Sequence, residues 1–317
     1  MKKFVLIITL MTISIVLAQE VTIANGKLSF DACVWAKYYS LNSTDSLDNK
    51  NNENSFARVM GFLGITGTIT DYAKVRFYYD MGDILGTPAY DIYLSLTKKS
   101  YELRVGQFKP PTGVENLTPP AKLDFIDYTT LSKHRTSTGI TRDIGLQLSA
   151  KQKFFECALA VINGNGRNQL KDNNNFQDLS GRLVFTPDQE LGLTFGGNIY
   201  WGKNGPESLL VDAQRFGAEL TLVHNPIFMK GEFAFIKDGS TNSNGFYVSA
   251  GYRYKILQPV VRFERYSSGE SLMAITGGFN FFIKEDNIKP MLNYTYSDDK
   301  ITKTKSHKVS AQLQLSF

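Results

Sequence analysis

From Leu28 to Phe317 the chain alternates apolar and polar residues in segment after segment, and that period of two limits what it can become. Side chains two apart share one face of an extended strand, so each segment has an apolar face and a polar one. In "KLSFDACVWAKYY", Leu28, Phe30, Ala32, Val34, Ala36 and Tyr38 lie opposite Ser29, Asp31 and Lys37. In "YAKVRFYYD", Ala73, Val75, Phe77 and Tyr79 oppose Lys74, Arg76 and Asp80. Ile144, Leu146 and Leu148 oppose Asp143, Gln147 and Ser149. Helical three-to-four spacing is scarce outside 117–133, so the class is all-β.

About sixteen such segments can be drawn, each of roughly 8–14 residues, the length of tilted membrane-crossing strands. They are 27–40, 56–70, 72–80, 90–98, 101–107, 142–150, 153–162 and 177–186. The second half gives 190–202, 212–223, 226–237, 245–255, 257–267, 271–284, 287–298 and 307–317. Taken in order, the connections alternate in length. Long ones include "LNSTDSLDNKNNENS", "MGDILGTPAY", 108–141, "NGNGRNQLKDNNNF" and "GKNGPESLLV"; short ones include "TD", "KKS", "KQK", "PDQ", "HNP" and "KEDN". Outer-membrane barrels place short turns on the periplasmic side and longer loops outside, whereas a soluble sandwich has no reason to sort loops by parity. The expectation is a transmembrane antiparallel β-barrel of about sixteen strands. Its last strand, "HKVSAQLQLSF", pairs with the first so that neither is an edge, and Phe317 meets an interfacial aromatic belt.

The front of the chain fits export. Lys2 and Lys3 precede an apolar run from Phe4 to Leu17, and Ala18 precedes a polar start, the plan of a secretory signal peptide over 1–18. That leaves 19–317 as one barrel domain in a bacterial outer membrane. Mean hydropathy is −0.20, so hydropathy alone reads as a soluble protein; the alternation says otherwise. The formal charge of +5 falls to +3 without Lys2 and Lys3, too mild to imply nucleic acid. Cys33 and Cys157 have no metal-type spacing, and parity puts them on opposite faces, which disfavours a bridge. No cofactor or metal site is expected.

Charge placement agrees with a barrel. Lys or Arg facing lipid at mid-bilayer costs about 2–4 kcal/mol, and in these phases Lys74, Arg76, Arg104, Arg182, Arg215, Glu219, Arg253, Arg262 and Glu264 fall on the polar, lumenal face. Arg265 lies on the apolar face by parity, near enough to a strand end to snorkel. Tyr38, Tyr39, Tyr79, Tyr200, Trp201, Tyr294 and Tyr296 at strand ends suit interfacial girdles.

A barrel of 16–18 strands leaves a water-filled channel, where about eight would fill with side chains. The expected role is passive diffusion of small hydrophilic or anionic solutes. Lumenal Lys37, Lys74, Arg76, Arg104, Arg182, Arg253 and Arg262 form a candidate anion-attracting wall, each also able to pair structurally with a lumenal carboxylate. The insertion 109–142 is too long for a bare connection, and Leu117, Leu123, Phe125, Ile126 and Leu131 argue against a solvated loop. It is expected to fold into the lumen and narrow it, presenting Lys109, Lys122, Lys133 and Arg135 beside Glu115, Asp124 and Asp127. The alternative is an outward loop packed on a neighbouring subunit.

"RVGQFKPPTGVENLTPP", followed by "RDIGLQLSA" and "ALAVINGNG", resembles the phosphate-selective porin O/P family, most sharply between Arg104 and Gly166. An alternating last strand ending in Phe likewise resembles the assembly signal of outer-membrane barrels. The family resemblance implies sixteen strands, a homotrimer in outer-membrane lipid, and a constriction built partly by the third loop. It implies a basic anion path only where a ladder of Arg and Lys is present. Asp31, Glu102, Asp143, Glu156, Glu219, Glu232 and Glu264 share this lumenal face, so phosphate selectivity is not carried over and a weak anion preference is expected.

Two other classes stay open. A barrel enzyme such as an outer-membrane phospholipase needs a nucleophile beside a base, and His134 near Ser132 and Ser137 is the least poor candidate. No G-x-S-x-G elbow is present, and "GNGRNQ" at 164–169 lacks the third glycine and the helix of a phosphate-binding loop. A non-conducting structural or receptor barrel shares the architecture.

Overall fold

The computed structural model describes residues 21–23, 26–57, 59–83, 86–136 and 142–317; the expected signal segment and Ser137 lie outside them. Sixteen antiparallel strands form the wall. They are β1 (Gly26–Asp45), β2 (Met60–Thr70), β3 (Ala73–Asp80), β4 (Ala89–Lys98), β5 (Tyr101–Phe108), β6 (Asp143–Lys151), β7 (Phe155–Ile162) and β8 (Asp178–Asp188). The second half supplies β9 (Leu193–Asn204), β10 (Val211–His224), β11 (Ile227–Asp238), β12 (Thr241–Tyr252), β13 (Leu257–Ser268), β14 (Glu270–Phe281), β15 (Ile288–Asp299) and β16 (Thr304–Ser316). Each strand pairs with its sequence neighbour, and β16 pairs with β1 from Thr304↔Asp45 to Ser316↔Cys33. Phe317 extends the seam, exchanging backbone hydrogen bonds with Ala32 at 3.0 and 3.1 Å. Closure satisfies the backbone of both terminal strands, which hydrocarbon would not do.

The barrel is inside out relative to a soluble protein. On β13, Arg262 and Glu264 point inward and are 4% and 8% exposed, while Val261 and Phe263 point outward at 52% and 38%. The same split recurs on β6 and β16, with Leu146, Leu148, Val309, Leu313 and Leu315 outward and Gln147, Ser310, Gln312 and Gln314 buried inward. Burial of polar side chains beneath an exposed apolar band fits lipid outside and a polar interior. No helix among the described residues is long and apolar enough to cross a membrane; the crossing elements are strands.

Three sequence expectations change. The segment 56–70 begins as a strand only at Met60, because Lys50–Phe56 instead folds back on the upper part of β1 as a hairpin. Helix in 117–133 reduces to short turns, α1 (Val114–Leu117), Pro120–Lys122 and Ser132–His134. Loop lengths alternate only as far as β10. Gly239 and Ser240 alone separate β11 from β12, and Gly269 alone separates β13 from β14. Both glycines have positive φ, +59° and +79°, which lets the chain reverse in so few residues.

Candidate functional site

The insertion leaves β5 at Phe108 and re-enters at β6, and it folds into the barrel against one half of the wall. Gly113 starts the descent with φ +67°. A Cβ there would stand 2.6 Å from Glu232 Oε2 and 3.0 Å from Arg135 Nε, so a side chain would have to displace that buried pair. The α1 turn follows, and Pro119 and Pro120 stop it. The apolar residues then bury: Leu131 packs with Ala234, Ile236, Tyr247 and Tyr266, and Phe125 with Phe228 and Val260. These partners lie on β11–β13, so the loop carries its own small core onto the lumenal face.

Polar contacts pin the loop at intervals. Asp127 is held by Lys37 and, at 2.9 Å, by Lys308. Asp124 meets Lys230 at 2.5 Å, Glu115 meets Arg262 at 3.1 Å, and Arg135 pairs with Glu232. Lys289 Nζ donates to the Ala121 and Leu123 carbonyls at 2.7 and 3.1 Å, and Gln314 donates to Ala121 at 2.8 Å. Asn293 Oδ1 accepts the Ile126 amide at 2.9 Å. Every one of these wall residues is on β1 or β11–β16.

The loop's charges respond to this setting. Burial raises Glu115, partly countered by Arg262 and the Ser132 and Thr129 hydroxyls. Asp127 is also buried, but Lys37 and Lys308 outweigh that penalty and hold it below the usual carboxylate range. Lys109 donates to the Asn116 and Thr118 carbonyls at 2.5 and 3.1 Å, and burial, with Arg142 beside it, pulls its ammonium down to about 7.

A space of about 320 Å³ lies against the opposite wall. Tyr93, Glu102, Arg104, Gln147, Glu156 and Arg182 line it from β4–β8, and Phe108, Lys109, Pro111 and Leu117 from the loop side. Arg104 lies 4.4 Å over the Tyr93 ring and 3.2 Å from Glu102. Arg182 pairs with Glu219 and approaches Glu156 at 3.7 Å.

The residues expected to form a basic wall are thus dispersed. Arg104 and Arg182 border the open space. Lys37 and Arg262 serve the loop, while Arg76 pairs with Asp31 under Thr66. Lys74 is exposed near the β2–β3 turn, and Arg253 follows β12, its guanidinium 4.0 Å over Phe282. Within the loop Lys122 and Lys133 are exposed, whereas Lys109, Glu115, Asp124, Asp127 and Arg135 engage the wall or the loop backbone. Lys230, Lys289 and Lys308 were not among the expected site residues, although alternation in "IFMKGEF", "IKPMLNY" and "HKVSAQ" places them inward. Tyr39 and Tyr200 also turn inward rather than joining a girdle; Tyr200 donates to Asp178.

No nucleophile–base pair forms at Ser132 and His134. The Ser132 hydroxyl donates to Glu115 at 2.5 Å, and the His134 ring stacks on Tyr266 at 4.7 Å. The 164–169 turn folds over the rim, where Asn168 and Gln107 exchange hydrogen bonds at 2.7 and 3.1 Å.

The family model for phosphate-selective porin O and P matches residues 30–208. No curated protein matches the chain. Among solved structures, the anion-selective porin from Comamonas acidovorans superposes with a TM-score of 0.70 at 12% identity, covering 92% of this chain and 100% of that one. OprB of Pseudomonas putida gives 0.68 at 10% identity, over 92% of this chain and 94% of that one. The trimer form of OmpT, an outer membrane protein of Vibrio cholerae, gives 0.61 at 10% identity, over 92% and 99%. At such identities the likeness is one of fold.

Proposed function

The chain belongs to the phosphate-selective porin O and P family, and on that premise we propose that it lets small hydrophilic solutes diffuse through the space beside its infolded loop. The observation that carries this reading is the one-sided docking of 109–136. The loop docks across β9–β16 and β1 and leaves the space beside β4–β8 as an aqueous lane. Charged rings are how pores discriminate ions, and here Arg104 and Arg182 stand beside Glu102 and Glu156 on the same wall of the lane. Most of the field cancels. The expected result is a general channel with a weak anion preference. The anion selectivity named for the Comamonas relative supports the direction, and the trimer form of the Vibrio relative supports a homotrimer here. Residues 1–18 act in this reading as a cleaved signal peptide, with the mature barrel in outer-membrane lipid.

Planar-bilayer recording tests it. The purified protein should give ohmic channels whose reversal potential in a salt gradient leans slightly toward anions. Deleting 112–138 should raise single-channel conductance. A silent bilayer, or conductance unchanged by the deletion, would overturn the reading.

A further inference from the structure

The outer surface of the barrel carries a second organised feature, away from the lumen. On β11 the outward positions run Met229, Gly231, Phe233, Phe235 and then Lys237; on β13 they run Pro259, Val261, Phe263 and then Arg265. Both cations are exposed, and neither side chain has an ion-pair or hydrogen-bond partner among the described residues. Both stand toward the ends of their strands on the side of the long loops. Register places two amides between them. Lys237 pairs with Asn242 and Phe235 with Asn244 on β12, whose Phe246 pairs with Arg265. The outward positions of β11–β13 include no carboxylate. The outward acid on the neighbouring strand β10, Asp212, lies 3.7 Å from Lys203 on β9.

Below the Lys237 edge of this patch, and running away from it onto β8–β10, the apolar surface is hollow. A groove of about 580 Å³ crosses β8–β11, floored by Gly181, Gly197 and Ala218 and walled by Leu183, Phe216 and Phe235. Phe216 and Phe235 are register partners, one pair below Gln214 and Lys237 on the same face. Cations and amides at the interface, above a slot lined only by hydrocarbon and backbone, complement a molecule with an anionic head and an acyl tail. A single basic residue near a strand end needs no such explanation, because it can snorkel to water. Two of them, with amides between and no acid, over a glycine-floored groove, are a stronger match.

We infer that this face seats one acylated lipid with a phosphate-bearing headgroup, in the leaflet on the long-loop side. Lys237 and Arg265 meet the phosphates, Asn242 and Asn244 hydrogen-bond the head, and an acyl chain fills the groove. The inference rests on the membrane orientation in the functional reading above, but not on conduction.

The test uses the folded full-length protein in neutral detergent, with diphosphoryl lipid A, its dephosphorylated form and phosphatidylcholine as separate probes. Bound lipid is read by native mass spectrometry. Wild type should retain diphosphoryl lipid A at least tenfold more tightly than either other probe. The double variant Lys237→Gln with Arg265→Gln should bind it about 30-fold more weakly, the combined effect of two cations at an anionic surface. Gly197→Leu should weaken all acylated probes several-fold by filling the slot. A Cβ at that position meets only the Gly217 carbonyl, at 3.5 Å, so the barrel itself tolerates the change. Heat-modifiable migration confirms that each variant is folded. Equal binding of phosphorylated and dephosphorylated lipid, or a double variant that binds like wild type, would overturn the inference. So would efficient cross-linking of Arg265→Cys between two barrels in membranes, which would assign the face to a second copy. A barrel that binds the lipid but carries no current would refute the channel reading and leave this one standing.

Discussion

Arg135 of the infolded loop and Glu232 of β11 form an ion pair in which neither side chain is more than 1% exposed. Glu232 also accepts the Glu115 amide at 2.8 Å and the Tyr247 hydroxyl at 2.6 Å, and Arg135 donates to Asn198 at 3.3 Å. The pair therefore ties the loop to β9, β11 and β12 at one buried point. Removing one member strands a charge away from water, a penalty of about 3–5 kcal/mol. Arg135→Met should destabilise the folded barrel by that order in denaturant titration. Adding Glu232→Gln should recover most of it, since the Tyr247 and Glu115 contacts need an acceptor and not a charge. Two losses that simply add would show that the residues act independently.

The Asp127 clamp gives a pH prediction whose sign follows from its partners. Lys37 and Lys308 outweigh burial and lower its folded value below the 3.8 of an unperturbed aspartate. A carboxyl lowered on folding adds stability that is complete above its unfolded value and is lost as pH falls through its folded one. The stability difference between wild type and Asp127→Asn should thus be constant from pH 7 to about 5 and shrink only in more acid solution. Glu115 behaves oppositely. Burial raises it above 4.5, so the contribution from its raised value is present below 4.5 and is lost as pH rises through the folded value. Melting temperatures of Asp127→Asn and Glu115→Gln across pH, each against wild type, separate the trends.

Arg104 is the cation to change when asking about ion preference. Arg182 is unsuitable, because its loss would leave Glu219, whose side chain is wholly buried, without its guanidinium. Arg104 instead borders the open lane, resting on Tyr93 beside a partly exposed Glu102. Arg104→Gln should move the anion-to-cation permeability ratio toward cations by about two- to fivefold, equivalent to roughly 0.5–1 kcal/mol for one charge beside water. Stability should change little, as a partly exposed pair contributes little. An unchanged reversal potential would place the ion path elsewhere in the lumen.

The wall was legible in the sequence because a strict period of two leaves each strand only one face for lipid, as Leu313, Leu315 and Val309 show against Gln312, Gln314 and Ser310. Infolding was legible from Leu123, Phe125, Ile126 and Leu131, whose apolarity requires cover. Which wall would cover them was not. Lys230, Lys289 and Lys308 reach the loop only through tertiary placement across more than 100 residues of sequence, and no local pattern encodes it. Tyr200 was misread for a simpler reason. Adjacent residues on a strand cannot share a face, so with Trp201 facing out at 52%, Tyr200 had to face in. The alternation of loop lengths failed where Gly239 and Gly269 permit reversals of one or two residues, a freedom that parity does not reveal.

The two cysteines give a test of facing that needs no channel activity. Cys33 is buried inside the barrel among Phe62 and Tyr78, and burial raises no question of its pairing with Cys157, which is exposed on the outer face of β7. A wall of backbone lies between them, and a disulfide spans only about 4.4–6.8 Å between Cα atoms. Folded protein should therefore run identically on gels with and without reductant after exposure to mild oxidant. A lipid-soluble maleimide should modify Cys157 in membranes within the time that leaves Cys33 untouched, whereas a charged, membrane-impermeant maleimide should modify neither. Unfolding in denaturant should expose both to either reagent. Rapid labelling of Cys157 by the charged reagent in intact membranes would put the outer face of β7 in water, and the assignment of lumen and lipid sides would be reversed.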